Sequence, residues 1–214
     1  MIIIKNDKEI DLMRIAGRIV AETLLLVEKE VRPGITTAEL DRIAEEFITK
    51  HGAKPSFKGL YGFPASLCIS VNEQVVHGIP GRYVLKEGDI VSVDCGAIID
   101  GYHGDAARTF AVGNISEEAQ KLIEITKESF FKGLEAAKVG NNLTDISNEI
   151  QKYIEASGFS VVRDFVGHGI GKDLHEDPEV PNFGRPGRGP KLVTGMALAI
   201  EPMVNVGSHR VKTL

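Results

Sequence analysis

The sequence has little cysteine, no long apolar run and no excess of positive charge, and each shortage removes a class of protein. Only Cys68 and Cys95 occur, so no disulfide framework is available and a reducing compartment is expected. The apolar runs are a few residues each, far short of the roughly 20 that cross a bilayer. The opening Met1-Ile2-Ile3-Ile4-Lys5-Asn6-Asp7 has no basic segment ahead of an apolar stretch, so no signal peptide is expected and the expected location is the cytoplasm. Lys and Arg number 25 against 30 Asp and Glu, a net charge of −5 that gives no drive toward nucleic acid or an anionic membrane. What remains is an ordinary globular balance, 43% apolar and 26% charged over 214 residues, enough for one sizeable core.

Leu12, Ala16, Ile19, Thr23, Leu26 and Val27 recur at helical spacing and predict a helix over about 7–29, stopped by Pro33-Gly34. Thr36-Thr37-Ala38-Glu39 has the form of a capping box. The helix it opens buries Leu40, Ile43, Ala44, Phe47 and Ile48 and ends at Gly52. Residues 66–71 read as a strand, and 89–99 with 102–112 as a hairpin around Asp100-Gly101. The pattern then restarts, with helices over about 116–137 and 142–156 and strands near 160–165 and 196–206. A shift of 106 residues aligns Gly34 with Gly140, Thr36 with Asn142, Glu39 with Asp145, Leu40 with Ile146, Ala44 with Ile150, Phe47 with Tyr153, Ile48 with Ile154 and Gly52 with Gly158. Any two amphipathic helices share apolar positions, but matching caps and glycines favour a duplication. The expectation is one catalytic domain over 1–214 with halves of about 1–113 and 114–214. Sites tend to form where such halves meet. The Pro- and Gly-rich segment 173–195 reads as a stiff, irregular excursion.

Asp94 interrupts the apolar run Ile90-Val91-Ser92-Val93, and Asp105 lies on the returning strand. With Asp100-Gly101 as the two loop residues, Asp105 falls opposite Gly96 and Asp94 opposite Ala107, diagonal neighbours on one face. Two carboxylates sharing a space need a cation. Arg108 is one candidate, but its alternation sends it to the other face, so metal is favoured. Gly167-His168-Gly169 sets a histidine between glycines that free the backbone to bend. His175-Glu176-Asp177-Pro178 reads as a turn, Glu201 ends an apolar strand, and His77 sits at a tight bend. His51, His103 and His209 have polar neighbours and read as surface residues. Two Asp, one His and one Glu suit a pair of divalent cations such as Co, Mn, Fe or Zn, which activate water and polarise a carbonyl.

Five ordered motifs now stand together: Cys68-Ile69-Ser70-Val71-Asn72-Glu73 with Val76-His77-Gly78-Ile79-Pro80; Asp94-Cys95-Gly96 with Gly104-Asp105-Ala106-Ala107-Arg108-Thr109; Gly167-His168-Gly169-Ile170-Gly171; Leu174-His175-Glu176-Asp177-Pro178; and Ala199-Ile200-Glu201-Pro202-Met203. Over essentially its whole length the chain resembles the type I methionine aminopeptidases of bacterial form. The resemblance implies a pita-bread α/β fold with pseudo-twofold halves around a mainly antiparallel sheet. It implies removal of the initiator methionine from nascent polypeptides beginning with Met and a small second residue. It makes Asp94, Asp105, His168 and Glu201 ligands of two divalent cations, with Glu201 also taking a proton from the attacking water. His175 would stabilise the tetrahedral intermediate and His77 would position the substrate. Phe57, Leu60, Phe63, Cys68 and Leu174 match the methionine pocket, as flat or small apolar groups suited to a thioether. A monomer is expected, with no membrane or nucleic-acid substrate, in a role compatible with contact at the ribosome.

The family's fifth ligand, a glutamate bridging both metals, lies on a strand after the Glu-Pro strand, whereas Val211-Lys212-Thr213-Leu214 holds no acid. The expectation is therefore either a fragment of a longer, active parent or an incomplete metal site, the 214 residues alone binding metal weakly and showing little or no aminopeptidase activity. Two other readings compete. Prolidases and aminopeptidases P share the fold but carry a large domain ahead of the catalytic pattern, which here starts at the first residues. A metal-free pita-bread binding protein would have lost ligand residues that this chain retains. Metal analysis with hydrolysis of Met-Ala-Ser separates enzyme from binder.

Overall fold

The structure, a computed structural model, describes residues 1–213 and divides into two units. One comprises Asp7–Ala119 and Gly171–Leu174; the other comprises Met1–Asn6, Gln120–Ile170 and the described part of His175–Leu214.

In the first unit, α1 (Asp7–Glu30) buries Ala16, Ile19, Val20, Thr23, Leu24 and Val27, one stripe at helical spacing. The next helix, α2 (Thr37–Lys50), starts where the Thr36 side chain accepts from the Glu39 N–H. The sheet is built on β3 (Ile90–Ile99), which pairs antiparallel with β4 (Tyr102–Ala111) on one side. Its other side takes β2 (Leu67–Val71) and then the short β1 (Lys54–Pro55). Asp100 and Gly101 both have positive φ, 51° and 80°, and so make the tight hairpin. The register is the expected one, Ile99 opposite Tyr102. Val91, Val93, Cys95 and Ala97 alternate onto the fully buried face, against Val20, Leu24, Leu40, Ala44 and Ile48. Asp41 of α2 accepts from the N–H groups of Ser66 and Leu67 at 2.9 and 2.7 Å, fixing the start of β2. Burial pushes the Asp41 carboxyl up, and those two bonds offset it only in part.

In the second unit, α3 (Glu117–Ala136), from Gln120 onward, packs on α4 (Leu143–Ala156). The approach is close enough that a Cβ at Gly133 would lie 2.7 Å from Ile150. The cap of α4 is a full box, Asn142 with Asp145. A pair, β5 (Ser160–Val161) with β9 (Val204–Asn205), and a three-stranded sheet complete it. In that sheet β6 (Gly167–Gly169) lies between β7 (Glu176–Val180) and β8 (Leu198–Ala199).

The stretches aligned by the shift of 106 residues have similar local geometry. Gly34 and Gly140 share a φ of 93°, and the caps Thr36 and Asn142 have nearly equal angles, −89°/152° and −94°/157°. Each cap residue makes an isolated antiparallel bridge, Thr36 to Val84 and Asn142 to Lys191. Leu40, Ala44 and Ile48 are as fully buried as Ile146, Ile150 and Ile154.

Three expectations are corrected. The strand expected over 160–165 is only Ser160–Val161, and that over 196–206 is two short pieces. The excursion 173–195 is not wholly irregular, because Glu176–Val180 pairs with β6, so His175-Glu176-Asp177-Pro178 enters a strand rather than a turn. His103 is not a surface residue: it is buried, with Nδ1 2.8 Å from the Ser56 hydroxyl.

Candidate active site

In the first unit the strand register sets two acids on one face. Asp94 is opposite Ala107 and Asp105 opposite Gly96, the expected diagonal. Ser92 and Thr109 lie on that same face, their hydroxyls 2.8 Å apart. Arg108 faces the other way, 4.0 Å from Glu28 of α1, so it does not neutralise the pair. Cys68 of β2 lies opposite Asp94. Its thiol is pushed far up, first by burial and then by the negative charges of Asp94 and Asp105, and stays protonated. Phe57 covers the same face: a Cβ at Gly96 would lie 2.7 Å from its ring. Leu60 and Phe63 are half-buried in the turn after Phe57, with Phe63 N–H donating to the Leu60 carbonyl at 2.9 Å. Leu174 is buried, in a segment held to this unit where His103 N–H donates to the Gly171 carbonyl. His77 is exposed at a φ of 60°, the tight bend expected of it, next to Gly78, which hydrogen-bonds back to β2.

In the second unit β6 presents His168 between β7 and β8. Its glycines are there for contact rather than for bending. A Cβ at Gly167 would sit 2.2 Å from the Ala199 carbonyl oxygen, and one at Gly169 would sit 2.1 Å from that of Asp177. His168 Nδ1 is 2.8 Å from the Gly169 carbonyl oxygen, an acceptor only, so Nδ1 is a donor and Nε2 is the ring nitrogen left to act as a ligand. Nε2 stands 3.1 Å from Glu201 Oε1. That oxygen is buried and has no hydrogen-bond partner. A buried carboxylate oxygen with no hydrogen-bond donor, beside an imidazole nitrogen, is a donor set that fits a divalent metal. His175 is exposed and meets the His168 ring edge-on, centroids 4.5 Å apart. Reading the sequence missed Asn182, fully buried, whose amide donates to the Glu201 carbonyl at 2.7 Å and steadies that residue. It lies in an irregular Pro-rich stretch with no periodicity to mark it.

The pattern described as metallopeptidase family M24 matches residues 11–212. Methionine aminopeptidase of Clostridium perfringens is 78% identical over 214 residues, all of this chain and 86% of that protein. The chain belongs to metallopeptidase family M24, on its methionine aminopeptidase branch. M24 membership makes it a metal-dependent hydrolase, and the pita-bread fold expected above is that of its solved relatives. The crystal structure of methionine aminopeptidase from Thermotoga maritima matches with a TM-score of 0.98 at 47% identity, covering 100% of this chain and 86% of that one. A prolidase from Pyrococcus horikoshii matches less well, at 0.82 and 28%, covering 94% of this chain and 55% of its own. No helix among the described residues is long and apolar enough to cross a membrane.

Proposed function

We propose that the protein removes the N-terminal methionine from new polypeptides in the cytoplasm, acting as a monomer within one catalytic domain. The observation that carries this is the unpartnered Glu201 oxygen 3.1 Å from His168 Nε2, with His175 exposed beside them, in a chain of this family. Asp94, Asp105, His168 and Glu201 are the ligands of two divalent cations. Those cations, when bound, supply a Lewis acid and lower the pKa of a coordinated water. Phe57, Leu60, Phe63, Cys68 and Leu174 take the methionine side chain; they offer it uncharged apolar contact, and the protonated thiol of Cys68 adds no charge. The substrates are nascent chains beginning with Met and a small second residue, and ribosome contact is compatible with acting on emerging chains.

The residues divide the chemistry. Glu201, already an acceptor without a donor, takes the proton of the attacking water. His175 donates to the substrate carbonyl oxygen as charge grows on it, a contact strongest in the transition state. His77, at a tight bend, orients the peptide behind the methionine.

The test is steady-state cleavage of Met-Ala-Ser by the full-length protein and two variants. His175→Ala is expected to lower kcat by about 100-fold with little change in KM, as for loss of one oxyanion donor. His77→Ala is expected to act mainly on KM. A His175→Ala variant altered only in KM would remove its assigned role.

A further inference from the structure

The first residues and the His175 segment belong to the same unit, and a buried ion pair joins them. Lys5 and Glu176 side chains are each 3% exposed. The Lys5 ammonium donates to Glu176 Oε2 at 2.5 Å and to the Ile3 carbonyl at 2.9 Å. The Lys5 backbone N–H donates to the Gly195 carbonyl at 2.8 Å. A Cβ at Gly195 would lie 2.6 Å from the Lys5 carbonyl oxygen, so a glycine is what admits the segment. Burying two charges gains little stability over an apolar pair of the same size. What the charges supply is a fixed geometry at one place.

That place is next to His175. Glu176 opens β7 opposite Gly169, one residue from His168. Successive residues of an extended chain point to opposite sides. Glu176 is accordingly buried against Lys5 while His175 is exposed against the His168 ring. We propose that Lys5 and Glu176 are a positioning pair: clamped from the buried side, the start of β7 holds the His175 ring at its working distance from His168. The proposal rests on the methionine-release function only for its kinetic consequence.

Two variants of the full-length protein test it. Lys5→Met strands the Glu176 carboxylate, so melting temperature and kcat should both fall, kcat by about 10- to 100-fold as for lost supporting contacts. Lys5→Met with Glu176→Leu removes both charges and should recover the melting temperature while kcat stays low and KM stays near that of the parent. In both variants the His175 ring resonances of chelator-treated protein should move and broaden. A double variant with parental kcat and unmoved His175 signals would overturn the proposal, leaving the pair a structural contact. If the parent releases no methionine, the function fails, yet the ring signals still decide the positioning role.

Discussion

Glu201→Gln is expected to cut methionine release from Met-Ala-Ser by about 1,000-fold or more while leaving the apo fold intact. The substitution keeps the shape of the side chain and removes its charge. In the native chain Glu201 Oε1 is buried without a hydrogen-bond partner, 3.1 Å from His168 Nε2. A glutamine amide offers that nitrogen either a donor or an acceptor, so the chelator-treated variant should melt close to the parent's temperature. It can neither bind a divalent cation as strongly nor accept a proton from water. The rise in melting temperature that the parent shows on adding Mn or Co should therefore shrink in the variant. A drop in apo stability, or retention of most activity, would show that this carboxylate is structural.

Two neighbouring glycines should respond to alanine with opposite signs. Gly104 of β4 crosses α1 at Gly17, and a Cβ on Gly104 would lie 2.5 Å from Gly17 N and 2.7 Å from Ala16 C. Both are backbone atoms, so no rotamer change can relieve the contact and the helix must move off the sheet. Gly104→Ala is expected to destabilise the protein by about 3 kcal/mol or more. It also displaces the strand that carries Asp105, so metal binding should weaken with it. A Cβ on Gly17, by contrast, would meet nothing within 4 Å. In the middle of α1, Gly17→Ala should stabilise by roughly 0.5–1 kcal/mol through helix propensity. Denaturant titrations of both variants check the pair, and equal shifts would contradict the crossing geometry.

What was legible in the sequence was whatever local rules decide. Asp100-Gly101 fixes a two-residue turn, the turn fixes the register, and the register sets Asp94 and Asp105 on one face. The capping residues that open α2 and α4 were legible in the same way. Strand β7 was illegible because Glu-Asp-Pro-Glu-Val has no strand propensity and forms only by pairing with β6. His103 looked solvated because its partner Ser56 is 47 positions away. Lys5 gave no signal at all, its partner Glu176 being 171 positions distant. The glycines flanking His168 were legible as special, but the reason is contact with the neighbouring strands, which no single segment reveals.

Metal-dependent methionine removal is tested most directly by following release of free methionine from Met-Ala-Ser by chelator-treated full-length protein as Mn or Co is titrated back. No release is expected without metal, and release should return at a stoichiometry of two cations, with an Xaa-Pro dipeptide left uncut. Release that persists in chelator, or a folded, metal-loaded protein that releases no methionine, would contradict it.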